Sequence, residues 1–493
     1  MAKNRAARAT HEPATTSAPG DSFLIAAEPD DRKRLSGTLG VWSIVFMVVA
    51  AAAPLTVVAG VVPLGIAIGN GAAFPAAFIV AAAVLLLFAV GFTRMTPHMP
   101  DAGAFYTYVR AGLGRPLGLG AAFLALATYL SVMMGVFGYI GAAARDLVIQ
   151  YTDLHLPWGV YSAAAVLLVA FLGFRHIEIS GRVLSVLLLC EVGIVLILNV
   201  VIVGQGGESG LSSELFNPST FTSGSPGIAL MFAVASFLGF EATAVYRDEA
   251  KDPERTIPRA TYLALLLVGA FYALTAWALV SAFGDRAAVT EANADPGGML
   301  LTAVDRYLGG VGTDIVLVLL VSSIFAAILA FHNVASRYVF ALANSNAFPN
   351  RAGRSHPLHG SPYLASLAVS VFAGCLLAVF IAFDMDPLAE VFAWLVGLAT
   401  LGILALMSLT CLSVIVFFRR SVIDRNLWTT TVAPALAFVG LGLFLVLTIK
   451  NFTLLIGGST GLAVSLEILL VAVFVLGILL ALRSPKAGAG TTT

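Results

Sequence analysis

Twelve apolar runs follow one another along the chain, each long enough to cross the roughly 30 Å hydrocarbon core of a bilayer. They fall near residues 38–68, 72–93, 117–150, 157–174, 181–203, 226–247, 258–283, 311–344, 362–383, 387–418, 429–449 and 460–482. In lipid every backbone N–H and C=O must be satisfied within the chain, so runs of this length form helices. The expected fold class is an all-α membrane protein with twelve transmembrane helices. Charged residues make up only 11% of the 493, against about 25% in a soluble domain. Mean hydropathy is +0.95. The net charge of zero says nothing about acidic or basic partners; the placement of charge is what informs, and no nucleic-acid partner is expected.

That placement orients the chain. Arg145, Arg286, Arg306 and Lys450 fall in loops on one side; every other Lys and Arg falls in loops or tails on the other. By the positive-inside rule both termini are then cytoplasmic and the protein is a multi-pass component of the cell membrane. Residues 1–34 are polar, rich in Ala, Thr and Pro, and read as a disordered cytoplasmic tail. Residues 484–493 read as a second tail. The longest loops, 204–225 and 284–310, leave no room for a soluble domain. Cys190, Cys375 and Cys411 all lie inside apolar runs without redox or metal spacing, and read as packing residues.

Two spans are interrupted. The sixth begins as Ile228–Val234, then meets Ser236, Gly239 and the carboxylate Glu241, and leaves through Arg247–Asp248–Glu249 to Pro258, which is expected to start the next helix. A charge at bilayer depth costs about 2.5–3.5 kcal/mol on the lenient scales, and glycine weakens the helix beside it. A chain tolerates both where the backbone lines an enclosed cavity. The simpler reading is a kinked helix whose acid pairs with a neighbour. The first span carries AAAPLTVVAGVVPLG, with Pro54, Thr56, Gly60, Pro63 and Gly65. Spans 1 and 6 correspond if spans 1–5 and 6–10 are two five-helix repeats; five being odd, the second is inverted. Matched interruptions in two inverted halves point to a transporter's central site.

Other polar residues stand out against the apolar background. Glu191 lies about 15 Å along span 5 from Arg182, with no Lys or Arg near it in sequence. It reads either as a proton-binding carboxyl or as an acid making one interhelical hydrogen bond. His332 and Asn333 sit inside span 8; the histidine reads as a proton relay or, in preference, as a cap on a neighbouring helix. Phe392 and Trp394 near the outer end of span 10 either close over a substrate or form an interfacial belt. RMTPHMPDAGAFYTYVRAGLGRP, between spans 2 and 3, reads as an interfacial helix, serving as an inner gate or as an anchor held by Phe105, Tyr106 and Tyr108 at the headgroups.

GFEATAVYRDEAKDPERTIPRA resembles the sixth-helix signature of the amino acid–polyamine–organocation superfamily. MPDAGAFYTYVRAGLG after span 2 is similar to a second superfamily motif, and SRYVFALANSNAFP with the downstream HPLHGSP to a third. The three stand in the expected order, and the resemblance covers roughly residues 35–420. It implies the inverted five-plus-five repeat of the LeuT type, with spans 11 and 12 (419–483) added. It also implies a substrate held between the unwound parts of helices 1 and 6. The expected contacts are Pro54, Thr56, Val57, Val58, Ala59 and Gly60 on span 1. On span 6 they are Ser236, Phe237, Leu238, Gly239, Phe240 and Glu241, with Trp394 closing from span 10. Glu241 is implied as a coupling or gating acid, with Glu191 and His332 as further proton-coupling candidates. The sequence departs from the superfamily in three places. Thr56–Val57–Val58–Ala59–Gly60 replaces the Gly-Ser-Gly run of many amino-acid permeases, and the preceding PLT looks more like the polyamine-uptake branch. Glu191 stands near where proton-coupled relatives can place a lysine. Asn344–Ser345–Asn346–Ala347 replaces a Gly-Arg-Asp-Gly-like turn.

The function expected is a secondary transporter for a small amino acid or amine, driven by protons. A polyamine or organic-amine exchanger and a non-transporting nutrient sensor are the alternatives. A channel would more often show rings of like charge. An enzyme would need a nucleophile–base pair, and no HExxH, GxSxG or GxxxxGK[ST] motif is present. No cofactor or metal is expected.

Overall fold

The computed structural model describes residues 39–99, 105–175, 181–241, 243, 250–344, 363–421, 423–424, 426–457 and 459–483. The two tails, Asp101–Ala104, the charged run 244–249 and the 345–362 loop with HPLHGSP lie outside the described residues.

Twelve spans are present among the described residues, at the expected places. Spans 2 to 5 are Phe74–Met95, Arg115–Tyr151, Trp158–Arg175 and Gly181–Gln205. Spans 7 to 9 are Pro253–Phe283, Met299–Asn344 and Tyr363–Ala382. Span 10 runs through Pro387–Phe392 and Ala393–Arg420, span 11 through Trp428–Val432 and Ala433–Leu455, and span 12 is Thr460–Arg483. Proline sets several starts, at Pro75, Pro116, Pro226, Pro253 and Pro387. Its fixed φ suits the first turn, where its missing N–H costs nothing.

Two boundaries differ from expectation. Span 7 starts at Pro253 and carries Pro258 inside it. Pro253 also fits the first turn, so the earlier proline wins and the helix extends below the apolar run. Span 8 starts at Met299, and Gly309, at φ 74°, bends it before the apolar stretch begins. The loop between spans 7 and 8 folds as a further helix, Asp285–Ala294.

Span 2 packs along span 7, span 3 along span 8, and span 4 along span 9. These three helices thus meet their counterparts in the other half, in keeping with two inverted five-helix repeats. Spans 11 and 12 lie outside this pairing, with span 12 against span 3 and span 11 against spans 2, 6 and 10.

The segment after span 2 is a helix, Phe105–Leu113, with Phe105, Thr107, Tyr108 and Val109 buried. It packs under spans 3 and 10. The Ser413 hydroxyl donates to the Tyr108 carbonyl, and the Thr96 and Tyr108 hydroxyls lie 2.9 Å apart. Phe105 and Tyr108 are therefore part of the protein interior, which goes against the second of the two readings, an anchor at the headgroups.

Candidate functional site

Spans 1 and 6 are both broken, each in its own way. Span 1 is α-helical over Val41–Ala51 and stops; Ala53 takes a left-handed conformation at φ 44°, ψ 70°, and Pro54 begins the second half. From there the chain stays helical until Gly69 kinks it, with π-helix over Val57–Val61 and within Gly65–Asn70. The break is at Ala52–Ala53, ahead of the Pro54–Gly60 stretch in which it was expected. Proline at the first helical position starts a helix as readily as it breaks one. Span 6 is helical over Pro226–Ala235 and then turns through Phe237–Glu241, with Gly239 at φ 104°. A residue with a Cβ is strained at such an angle, so glycine is what the turn requires.

Unwinding frees backbone groups that lipid cannot satisfy, and the two buried acids meet them. At span 6 the Gly239 N–H donates to Oε2 of Glu241 at 3.0 Å, and the Tyr129 hydroxyl of span 3 donates to Oε1. At span 1 the Leu55 N–H donates to Glu191 of span 5. Ser323 of span 8 donates to Glu191 at 2.8 Å, and Thr56 donates to Ser323 at 3.2 Å. The Tyr272 hydroxyl of span 7 donates to the freed Ala52 carbonyl at 3.1 Å. Sequence reasoning set the acids apart because Glu191 has no interrupted backbone in its own neighbourhood. The fold brings it one from span 1, so both acids cap a broken helix.

Both breaks open onto one cavity of about 40 Å³, room for a few waters. Ala52, Ala53, Thr56, Val57 and Val61 of span 1 line it, with Ala235 and Leu238 of span 6. The remaining wall is Val132 and Val136 of span 3, Ala327 and Phe331 of span 8, and Phe392 and Val396 of span 10. Of the expected contacts, Thr56, Val57 and Leu238 reach it. Val58 and Ala59 are fully buried elsewhere in the core, and Pro54 starts the half-helix. Phe237 meets the Tyr272 ring edge-on and Phe240 the Phe88 ring. The Ser236 hydroxyl turns back to the Phe232 carbonyl. Gly60 serves closure: a Cβ there would stand 2.7 Å from Tyr139 and 3.2 Å from Phe392.

Trp394 is half-buried and does not line the cavity; Phe392 and Val396 do. Residues four apart share a helix face, whereas two apart point about 200° away, so Phe392 takes the place expected for Trp394. The pairs 132/136, 327/331 and 392/396 all follow this one-turn spacing. Sequence reasoning missed the first two and Val396, because in wholly apolar helices nothing distinguishes a cavity face from a lipid face.

His332 lies apart from this constellation. Its Nε2 is 2.9 Å from the Ser370 hydroxyl of span 9, and its ring faces Gly173 of span 4. The contact is interhelical, but its partner is a side-chain hydroxyl, whereas the cap expected from sequence is on a helix carbonyl. Asn333, beside it, is exposed. From Phe331 on the cavity wall an aromatic series runs toward the Phe105–Leu113 helix. Phe331 and Tyr129 stand 6.4 Å apart, Tyr129 and Tyr338 5.5 Å, and Tyr338 and Tyr106 of the Phe105–Leu113 helix 5.9 Å. On the far side Tyr139 and Phe392 stand 5.0 Å apart. Among the described residues no cluster of three or more His, Cys, Asp or Glu could hold a metal ion.

Comparison with known proteins agrees with this architecture. The chain is similar to the low-affinity putrescine importer PlaP of Escherichia coli (strain K12), 24% identical over 62% of this chain and 66% of that protein. It therefore spans just under two thirds of that relative's length. It is also similar to the branched-chain amino acid permease BcaP of Lactococcus lactis subsp. cremoris, 26% identical over 62% of this chain and 68% of that one. Among solved structures, a manganese transporter of Eremococcus coleocola superposes with a TM-score of 0.58 over 92% of this chain and 97% of the other, at 12% identity. That likeness is one of fold alone. The family described as amino acid permease matches residues 39–480, nearly the whole chain, and the protein belongs to that family.

Proposed function

We propose that the protein is a secondary active transporter that carries an amino acid or small amine across the cell membrane by alternating access, coupled to protons. The observation that supports this most is the convergence of two broken helices, from opposite repeats, on one cavity. Membership of the amino acid permease family, and relatives named for putrescine and branched-chain amino acids, support the solute class. In this reading Thr56, Val57 and Leu238 touch the solute. Glu241, tied to Tyr129, holds the gate on the cytoplasmic side, where both termini lie. Glu191 is the proton site, reached from the cavity through the hydroxyls of Thr56 and Ser323.

Reconstitution into liposomes tests the proposal. A carrier loaded with unlabelled solute draws in labelled solute by counterflow, and an imposed pH gradient drives accumulation. A pore would equilibrate the label without transient accumulation, and a sensor would bind without exchange. Either result would refute the carrier reading.

A further inference from the structure

We infer that the protein carries a docking site for an anionic phospholipid, on the face where span 1 starts and span 12 ends. It lies where the Phe105–Leu113 helix ends against spans 3 and 10. Four exposed arginines meet there: Arg110 on the short helix, Arg419 and Arg420 at the end of span 10, and Arg483 at the end of span 12. Close backbone packing brings them together. Gly118 of span 3 admits the short helix, since a Cβ there would stand 2.8 Å from the Arg110 Cα. The Arg420 guanidinium donates to the Gly112 carbonyl at 3.4 Å, at a helix C-terminus, where a cation is favoured. Gly477 of span 12 packs on Gly120 of span 3, with 2.8 Å between its would-be Cβ and the Gly120 Cα. Spans 3 and 12 run in opposite directions, so Arg483, beyond that contact, comes level with Arg115 at the start of span 3.

Among the described residues none of the four has a carboxylate partner, whereas on the same face Arg94 pairs with Asp424 and Arg255 stands 3.9 Å from Asp252. Basic residues on one face are a general rule of membrane proteins. Their convergence on one helix end without an acid is local, and like charges so placed repel until an anion joins them. A phosphodiester fits, because a guanidinium offers its oxygens two parallel N–H donors. The surroundings favour the membrane as its source. Leu412 of span 10 and Leu479 and Leu482 of span 12 are exposed. Spans 10 and 12 both pack on span 3 and meet each other in only a few places. An acyl chain can lie in the furrow between them while its headgroup meets the arginines. A headgroup held there ties the short helix to spans 10 and 12, and so steadies Tyr106 against Tyr338.

The full chain in detergent provides the test, its melting temperature followed as dioleoylphosphatidylglycerol or dioleoylphosphatidylcholine is added. A ligand of the native state raises its stability, so phosphatidylglycerol should raise the melting temperature by several degrees more than phosphatidylcholine. Added salt should shrink the difference. Two variants then separate the patch from the general charge of the face. Arg110→Gln, Arg419→Gln and Arg483→Gln combined should lose at least about half of the phosphatidylglycerol shift. Lys251→Gln, Arg255→Gln and Arg259→Gln combined, which remove the same charge at the start of span 7, should keep it. Equal shifts from the two lipids, or equal losses in the two variants, would overturn the site. Inorganic phosphate reproducing the whole shift at matched ionic strength would put a soluble anion on the arginines and overturn the docking of lipid. Should the first variant fail to fold, Arg483→Gln alone, at the end of the last helix, reads the same patch. A smaller phosphatidylglycerol shift in that chain supports the site, and an unchanged one counts against it.

Discussion

Glu191 and Glu241 look alike in sequence and in burial, and each takes one hydroxyl and one backbone amide, so the difference between them lies in where those donors come from. The two carboxyl oxygens of Glu241 have separate donors, the Tyr129 hydroxyl on one and the Gly239 amide on the other. A glutamine keeps one acceptor and turns a donor toward a donor, so Glu241→Gln strikes the turn of its own helix or the tie to Tyr129. Glu191 takes Ser323 of span 8 and the Leu55 amide of span 1, and a glutamine whose oxygen stays on Ser323 leaves span 5 itself intact. Glu191→Gln is therefore expected to keep counterflow exchange within about two-fold of wild type and to lose accumulation driven by a pH gradient. Glu241→Gln is expected to impair both assays. Accumulation surviving in Glu191→Gln would move the proton site elsewhere. Replacement by leucine is a different experiment, since it leaves the Ser323 hydroxyl and the Leu55 amide without an acceptor. At about 1–3 kcal/mol for each unsatisfied buried group, Glu191→Leu should lower the melting temperature, whereas Glu191→Gln should not.

At the scale of the element, the break in span 1 depends on a conformation more than on a side chain. Ala53 sits in the left-handed region, which costs an L-residue about 1–2 kcal/mol, and it lines the cavity. Ala53→Gly removes the strain and leaves the break in place, so exchange should persist and thermal stability hold or rise. Ala53→Val adds a β-branch where φ is positive and fills part of a cavity of about 40 Å³, so exchange should fall at least about ten-fold with the protein still inserted. Normal exchange by Ala53→Val would show that the left-handed turn is not part of the working site. The same element shows how far the sequence is legible. Twelve spans and two matched interruptions could be read because apolar length, proline, glycine and an isolated acid are all unusual against lipid. The break's position could not, because Ala52 and Ala53 are indistinguishable from the alanines before them and Pro54 marks the start of the second half. The cavity faces of spans 3, 8 and 10 were hidden for a related reason: Val132, Ala327 and Val396 differ from lipid-facing neighbours only in where the fold turns them. The pairing of Glu191 with Leu55 joins residues far apart in the chain, and local sequence carries no trace of it.

For the whole molecule, the question is how the cavity exchanges its contents past the aromatic rings that flank it. On one side Tyr139 and Phe392 close together over Gly60. On the other, the series from Phe331 through Tyr129 and Tyr338 ends on Tyr106, carried by the Phe105–Leu113 helix beneath spans 3 and 10. Closing that side therefore joins span 3, span 8 and the Phe105–Leu113 helix, with Glu241 attached through Tyr129. Opening it must part these rings, and the short helix has to shift or lose its neighbours. Thr107, on that helix, is 7% exposed in the closed arrangement. In a chain with Cys190, Cys375 and Cys411 replaced, a Thr107→Cys variant should react slowly with a membrane-impermeant thiol reagent applied from the side of the Phe105–Leu113 helix. On the alternating-access proposal, adding a solute that the same protein exchanges in liposomes should change that rate several-fold, because turnover would populate a state open on that side. Tyr338→Ala in the same background should raise the rate without solute, since it removes the middle of the series. Labelling indifferent to an exchanging solute, and unchanged by Tyr338→Ala, would make the Phe105–Leu113 helix a fixed brace and place the inner gate on spans 1 and 6 alone.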